Sequence, residues 1–241
     1  MRPAIPLVRH CWEQRLKEIR LGKLADYLDE LSGTEMESGR WGFRGVPSAS
    51  YDLIPSIGRA SARATYDSEL ERSIFRKFRQ AAVPFADKHP DSQCSWLALA
   101  RHHGLPTRLL DWSFSPLVAA FFATSEPSPN NDGFAIYAYE TDFYNNDHNI
   151  PSNPFDLESD VQEVFADHYS ERLAAQRGFF TIHQRPDLPF RHDTLIKYSF
   201  PESMRDEALN RLDFYGINRA SLFPGLDGLA AYWGWFYSVS T

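Results

Sequence analysis

Apolar residues recur at helical spacing over residues 12–31, where Leu16, Ile19, Leu24, Tyr27, Leu28 and Leu31 share one face and Ser32-Gly33 stops the run. The polar stretch 34–40 reads as a loop, Trp41-Gly-Phe-Arg-Gly45 as a short strand, and 51–59, broken by Pro55 and Gly58, as an extended loop. A second helix is predicted from Asp67, a first-turn cap, to Ala82, with Leu70, Ile74, Phe78 and Ala81 as its stripe. Ser92 caps a third helix that Gly104 ends, and Ser115-Pro116 opens a fourth. Residues 133–140 read as a strand buried on both faces, 141–156 as a loop, 159–174 as a polar helix, and 176–183 and 195–200 as strands. A helix follows from Pro201 to near Gly216, and residues 217–237 form an aromatic, helical tail. Helices and strands do not alternate regularly. The expected fold is α+β, a mixed and mainly antiparallel sheet surrounded by helices, with residues 1–33 as a helical extension and 34–241 as the main domain.

The densest chemistry lies in residues 101–123. His102, His103, Thr107, Arg108, Asp111 and Ser113 precede Leu117-Val-Ala-Ala-Phe-Phe122, which is core by composition. Polar groups pinned against a core either satisfy one another or form a site.

Composition narrows the classes. Apolar residues make up 43% of 241, enough for a sizeable core. The net charge of −7 argues against phosphate-backbone binding as the main task, so a nucleic-acid-processing role ranks third. Cys11 and Cys94 are too few for a disulfide scaffold and too far apart for a zinc site, and no metal is expected. No apolar run reaches membrane-spanning length and the N-terminus lacks a signal-peptide core, so the expectation is a cytoplasmic protein with no membrane partner.

Several groups have two readings. Arg44, followed by Gly45, offers a planar fork for a phosphate or carboxylate where the backbone can approach a ligand, or else an ion pair with an acid such as Glu69. One of His102 and His103 is a general base or ligand donor, or else a side chain capping its helix. Arg108 and Asp111 are an ion pair bracing the turn, or the support of a loop whose Thr107, Ser113 or Ser115 meets a substrate. Gln176 either satisfies the backbone at a helix–strand junction or reaches the site. Gly-x-Ser-x-Gly and the phosphate-cradling glycine motifs are absent.

Together these elements resemble the FRG domain family, named for its Phe-Arg-Gly motif. The resemblance rests on Trp41-Gly-Phe-Arg-Gly45, Leu53-Ile-Pro-Ser-Ile-Gly-Arg59, Glu69, His102-His-Gly-Leu-Pro-Thr-Arg-Leu-Leu-Asp-Trp112, Ser115-Pro116, Gln176-Arg-Gly-Phe-Phe180 and residues 217–229. It spans about residues 24–230, with Arg101 where the family usually has glutamine and His103 where it has tyrosine. The order of elements is also similar to ADP-ribosyltransferases of the Arg-Ser-Glu type. That similarity implies NAD as co-substrate, with Arg44 gripping it and Gln176 near the position of the catalytic glutamate; His102, as the candidate general base, completes the expected catalytic set. Thr107, Arg108, Asp111, Ser113 and Ser115 would then bind substrate. It further implies a bacterial toxin or antiphage effector acting on a target not specified by sequence. Gln176 carries no charge, so such an enzyme requires Glu140, Glu163 or Glu171 to reach the site. The alternative is a non-catalytic sensor or adaptor that binds a nucleotide or a protein partner through the same pocket.

Overall fold

The computed structural model describes residues 16–33, 36, 40–59, 65–86, 89–142, 150–165 and 171–240. Seven strands are present among them: β1 (Lys17–Arg20), β2 (Trp41–Val46), β3 (Leu109–Ser113), β4 (Phe134–Glu140), β5 (Val161–Val164), β6 (Gly178–His183) and β7 (Ile196–Phe200). They form one sheet in the order β1-β7-β4-β2-β3-β6-β5. Only β1 with β7 is parallel; every other pairing is antiparallel. The fold is therefore α+β, with a mixed and mostly antiparallel sheet.

The helices are α1 (Leu24–Gly33), α2 (Ser68–Ala82), α3 (Gln93–His102), α4 (Pro116–Thr124), α5 (Glu171–Ala175), α6 (Arg205–Phe214), α7 (Arg219–Leu222) and α8 (Leu226–Ser240). The caps fall where the sequence puts them. Asp67 accepts from the amides of Glu69 and Leu70, Ser92 from Ser95, and Ser115 from Val118 with Pro116 in the first turn. Gly104 ends α3 with φ +88. The loop predicted for 34–40 lies largely outside the described residues, as does the centre of the one at 141–156.

One paired position joins the two halves of the sheet. β2 runs beside β4 along its whole length, from Trp41 opposite Glu140 to Val46 opposite Ala135. Against β3 its register is a single pair, Phe43 opposite Ser113. Three cores flank this seam. Helices α1, α4 and α6 cover the β2–β4–β7 half around Tyr27, Phe121 and Leu212. Helices α2 and α3 cover β3, β6 and β5 around Phe75, Leu97 and Leu109. The third core, around Trp112, Tyr139 and Phe190, is a cluster of edge-on aromatic rings.

Three predicted elements change. The helix predicted over 12–31 has its first four residues outside the described set; from residue 16 on it is a strand followed by a helix, because Gly22 interrupts the run and residues 17–20 pair with the open edge of β7. Residues 17–33 are thus built into the same sheet and core as the rest. The polar helix over 159–174 is replaced by β5, which pairs with β6, and by helix only at α5. Residues 166–170 of that span lie outside the described set. Finally, α2 buries Glu71 and Phe75 and leaves Leu70 53% exposed, so its inner face is rotated one residue from the apolar stripe. The buried partner of Glu71 explains the rotation.

Candidate functional site

Where β2 and β3 part, the surface opens into a cleft of about 610 Å³, within the usual range for small-molecule sites. Its walls come from both halves of the sheet. β2 gives Arg44, the end of α3 gives Arg101, His102 and His103, and β3 gives Asp111 and Ser113. Ser125 and Glu126 follow α4 on one side, and Arg172 and Gln176 stand on the other.

Gly45 shapes this arrangement through packing. A Cβ there would stand 1.9 Å from the carbonyl oxygen of Ala119 and 2.5 Å from the amide nitrogen of Ala123. The close approach expected at Gly45 is therefore to the backbone of α4, which the missing side chain lets rest directly on β2. Arg205 then fixes the chain beyond α4, donating to the carbonyls of Ala123 (2.7 Å) and Pro47 (2.8 Å) and to that of Glu126. Glu126 thereby reaches the rim of the cleft from a held backbone.

Arg44 bridges the seam. Its Nη1 donates to the Asp111 carbonyl at 2.5 Å and lies 3.3 Å from the Asp111 carboxylate. Its side chain is only 12% exposed, and among the described residues its buried Nε has no partner. Arg101 makes the stronger claim on Asp111, with Nη2 2.7 Å from Oδ2 and Nε within 3.3 Å of both oxygens, while its Nη1 donates to Ser56. Burial alone would raise the Asp111 acid, but the Arg101 and Arg44 guanidiniums override it and hold the group at about 2. Burial lowers Arg44 to about 10, against the attraction of Asp111, and leaves it charged at neutral pH.

The cleft is thus rich in positive charge within an acidic chain. Two guanidiniums share one carboxylate whose side chain is still 43% exposed toward the opening. Arg172 adds a third, seated 4.4 Å over the ring of Phe223 and lowered by burial. His102 lies below its ordinary value, through burial first and then the charges of Arg172 and His103, so its imidazole is neutral near pH 7. Among the described residues no cluster of three or more His, Cys, Asp or Glu side chains is placed to hold a metal ion.

Of the residues predicted for the site, Arg44, His102, Asp111, Ser113 and Gln176 line the cleft. The Ser113 hydroxyl donates to the Gln176 carbonyl at 2.7 Å and accepts the Ser115 amide. The Gln176 Nε2 donates to the Leu222 carbonyl at 3.1 Å, tying this wall to α7. The other three stand elsewhere. Thr107 is buried, its amide and carbonyl held by the Ser56 hydroxyl. Ser115 caps α4.

Arg108 is fully enclosed, 2.6 Å from Glu71, with Tyr66 and the carbonyls of Pro154 and His183 on its other donors and the Phe155 ring 4.6 Å away. The expected Arg108–Asp111 pair does not form. Residues three apart on an extended chain lie roughly 10 Å apart and on opposite faces, where helical spacing would have joined them. Arg44 likewise pairs with Asp111 and not with Glu69, which is exposed beside Arg72.

Arg172 and Glu126 were not singled out by sequence. Arg172 sat in a segment read as solvated helix, and Glu126 follows a core helix with no local signal of its own. Arg101 stood out only as a departure from the family pattern. Glu140, Glu163 and Glu171 do not line the cleft: Glu140 pairs with Arg40, and Glu163 accepts from the Tyr139 hydroxyl at 2.9 Å.

No helix among the described residues is long and apolar enough to cross a membrane. No curated protein and no solved structure matches the chain. Residues 39–132 match the FRG domain family, and this segment supplies Arg44, Arg101, His102, Asp111, Ser113 and Glu126 to the cleft, so the chain carries an FRG domain.

Proposed function

We propose that the cleft binds a phosphate-bearing nucleotide, NAD first among them, and that the protein breaks its nicotinamide–ribose bond as an ADP-ribosyltransferase or NAD glycohydrolase. The observation that carries this reading is the convergence of Arg44, Arg101 and Arg172 on one cleft holding a single clamped carboxylate, in a chain of net charge −7. A pyrophosphate brings two negative charges and planar pairs of oxygens, which guanidinium forks match better than an ammonium does.

The chemistry asks little more of the chain. When the C1′–N bond breaks, the electron pair leaves with nicotinamide, which becomes neutral, and positive charge develops on the ribose. A carboxylate close by stabilises that charge. Glu126 fills this role from the rim, in place of the three glutamates that do not reach the cleft. Water or an acceptor group then adds to C1′, and neutral His102 takes the proton released. Consumption of NAD, or labelling of a macromolecule, suits a toxin or defence effector acting in the cytoplasm, where NAD is plentiful.

A second reading has its own support. The Gln176 amide is tied to Leu222, and Asp111 is clamped by two arginines. A site braced in this way suits a sensor or adaptor that binds the nucleotide without turnover. Incubation with NAD separates the two. The enzyme reading expects free nicotinamide from the native chain, loss of NAD binding in Arg44→Ala, and retained binding without release in Glu126→Gln. NAD bound but not cleaved by the native chain selects the sensor; no binding by the folded protein removes both.

A further inference from the structure

Helix α8 is apolar on nearly every side. Gly228, Tyr232 and Trp235 face the body of the protein, and a Cβ on Gly228 would lie 1.9 Å from the Phe223 carbonyl, so the helix is pressed against the end of α7. Leu226, Leu229, Trp233, Phe236 and Tyr237 point away, with 41% to 83% of their surface exposed. Asp227 is the only charged residue in the helix. A surface helix of a lone globular chain keeps its outer face polar, and one that does not is covered.

The spacing says what covers it. Leu226, Leu229, Trp233 and Phe236 follow one another at intervals of three, four and three, the seam of a helix that packs against another helix. Ala230 lies beside that seam and keeps the approach close. A lipid surface is a poor occupant. Helices that lie on membranes carry lysine and arginine on a polar face, whereas α8 has none and the chain is acidic overall.

We infer that α8 pairs with α8 of a second copy of this chain, antiparallel across a twofold axis at the middle of the helix. Antiparallel packing sets each helix N-terminus beside the partner's C-terminus, which the dipoles favour, and keeps the two copies of Asp227 at opposite ends. Fully covered, the exposed parts of the five side chains would bury at most roughly 600 Å² per copy at about 150–250 Å² per large side chain, or about 1,200 Å² for the pair, the lower end of the specific-interface range. No charge has to be buried. This pairing stands apart from the nucleotide reading, since no cleft residue takes part in it.

Sedimentation velocity of the full chain across two decades of concentration tests it. The expected result is a species of twice the 27.7 kDa chain mass. The double substitution Trp233→Glu with Phe236→Glu should give a monomer with an unchanged circular dichroism spectrum. Trp233→Ala alone, which cannot unfold the helix by charge, should weaken the dimer at least tenfold. A monomer at every concentration would overturn the pairing, and so would a dimer that survives both variants. So too would a monomer that co-sediments with vesicles of equal phosphatidylcholine and phosphatidylglycerol.

Discussion

Arg44 donates to both the carbonyl and the carboxylate of Asp111, across the only register pair that links β2 to β3. This ion pair therefore supports the seam and lines the cleft at once. A strand pair held by one position is free to splay, and the splay makes room for a ligand between the halves of the sheet. The side chain that closes the gap is also the cation best placed to meet an anion there. Arg101 strengthens the same clamp from α3.

Asp111→Asn follows from this geometry. It leaves Arg44 its bond to the Asp111 carbonyl but removes the only clamped negative charge in the cleft. The expected outcome is tighter binding of inorganic pyrophosphate at low salt, with a steeper loss of affinity as salt rises. Isothermal titration at two ionic strengths reads both. Binding weaker than native at low salt would mean that Asp111 acts mainly by orienting the arginines.

The buried Arg108–Glu71 pair calls for a different test. Both side chains are at most 3% exposed, and Tyr66 donates to the Glu71 carboxylate at 2.9 Å. Glu71→Gln strands a guanidinium in the interior and is expected to cost about 3–5 kcal/mol. Replacing both partners at once, with Glu71→Leu and Arg108→Met, should recover most of that loss. Urea denaturation of the three variants measures it. A double variant no more stable than Glu71→Gln would mean that the bonds from Arg108 to the Pro154 and His183 carbonyls hold the loop before β5 against the end of β6.

What could be read from sequence was mostly local. A cap and the first turn it satisfies lie within four residues, so Asp67, Ser92 and Ser115 were legible, as was the left-handed Gly104 after α3. Edge strands β1 and β5 were not, because what makes each a strand is a partner outside its own segment, β7 for one and β6 for the other. The rotated face of α2 has the same cause: Glu71 turns inward for Arg108, 37 residues later. The central motif was legible as chemistry but not as geometry. Its residues divide between the cleft, where Asp111 and Ser113 stand, and the interior, where Thr107 and Arg108 hold the fold. Arg172 and Glu126 reach the cleft only through tertiary packing, which leaves no mark in local spacing.

Gly45→Ala tests whether the motif glycine serves packing. Its new methyl would meet the backbone of α4 at Ala119 and Ala123, which cannot move aside as a flexible side chain would. A loss at or above the usual 1–3 kcal/mol for overpacking is expected, with α4 displaced from β2. Gly234→Ala, in α8 with nothing within 4 Å, is expected to be neutral or to stabilise by up to about 1 kcal/mol. Thermal melts of the two variants provide the contrast. Near-native stability of Gly45→Ala would show that α4 can shift without cost.

The pH dependence of stability isolates His183. Its ring is buried, 3.0 Å from the Thr181 hydroxyl that also accepts the Trp112 indole N–H. Burial first, and then the charges of Arg44 and Arg108, lower it from the ordinary 6.5 to about 3. The sign follows directly. Below pH 6.5 the unfolded chain takes up a proton that the folded chain refuses, so stability falls as the pH falls, until the folded histidine titrates near 3. The slope from this one group is about 1.4 kcal/mol per pH unit within that window. Depressed carboxylates such as Asp111 add their own losses at lower pH, between their ordinary and folded values. The measurement is therefore the difference between native protein and His183→Gln, which keeps a polar group near Thr181 but cannot titrate. Denaturation midpoints taken from pH 7 down to pH 5, above the range where Asp111 titrates, should fall more steeply for the native chain. Parallel curves would mean that the buried ring accepts a proton in the folded state as readily as in the unfolded one.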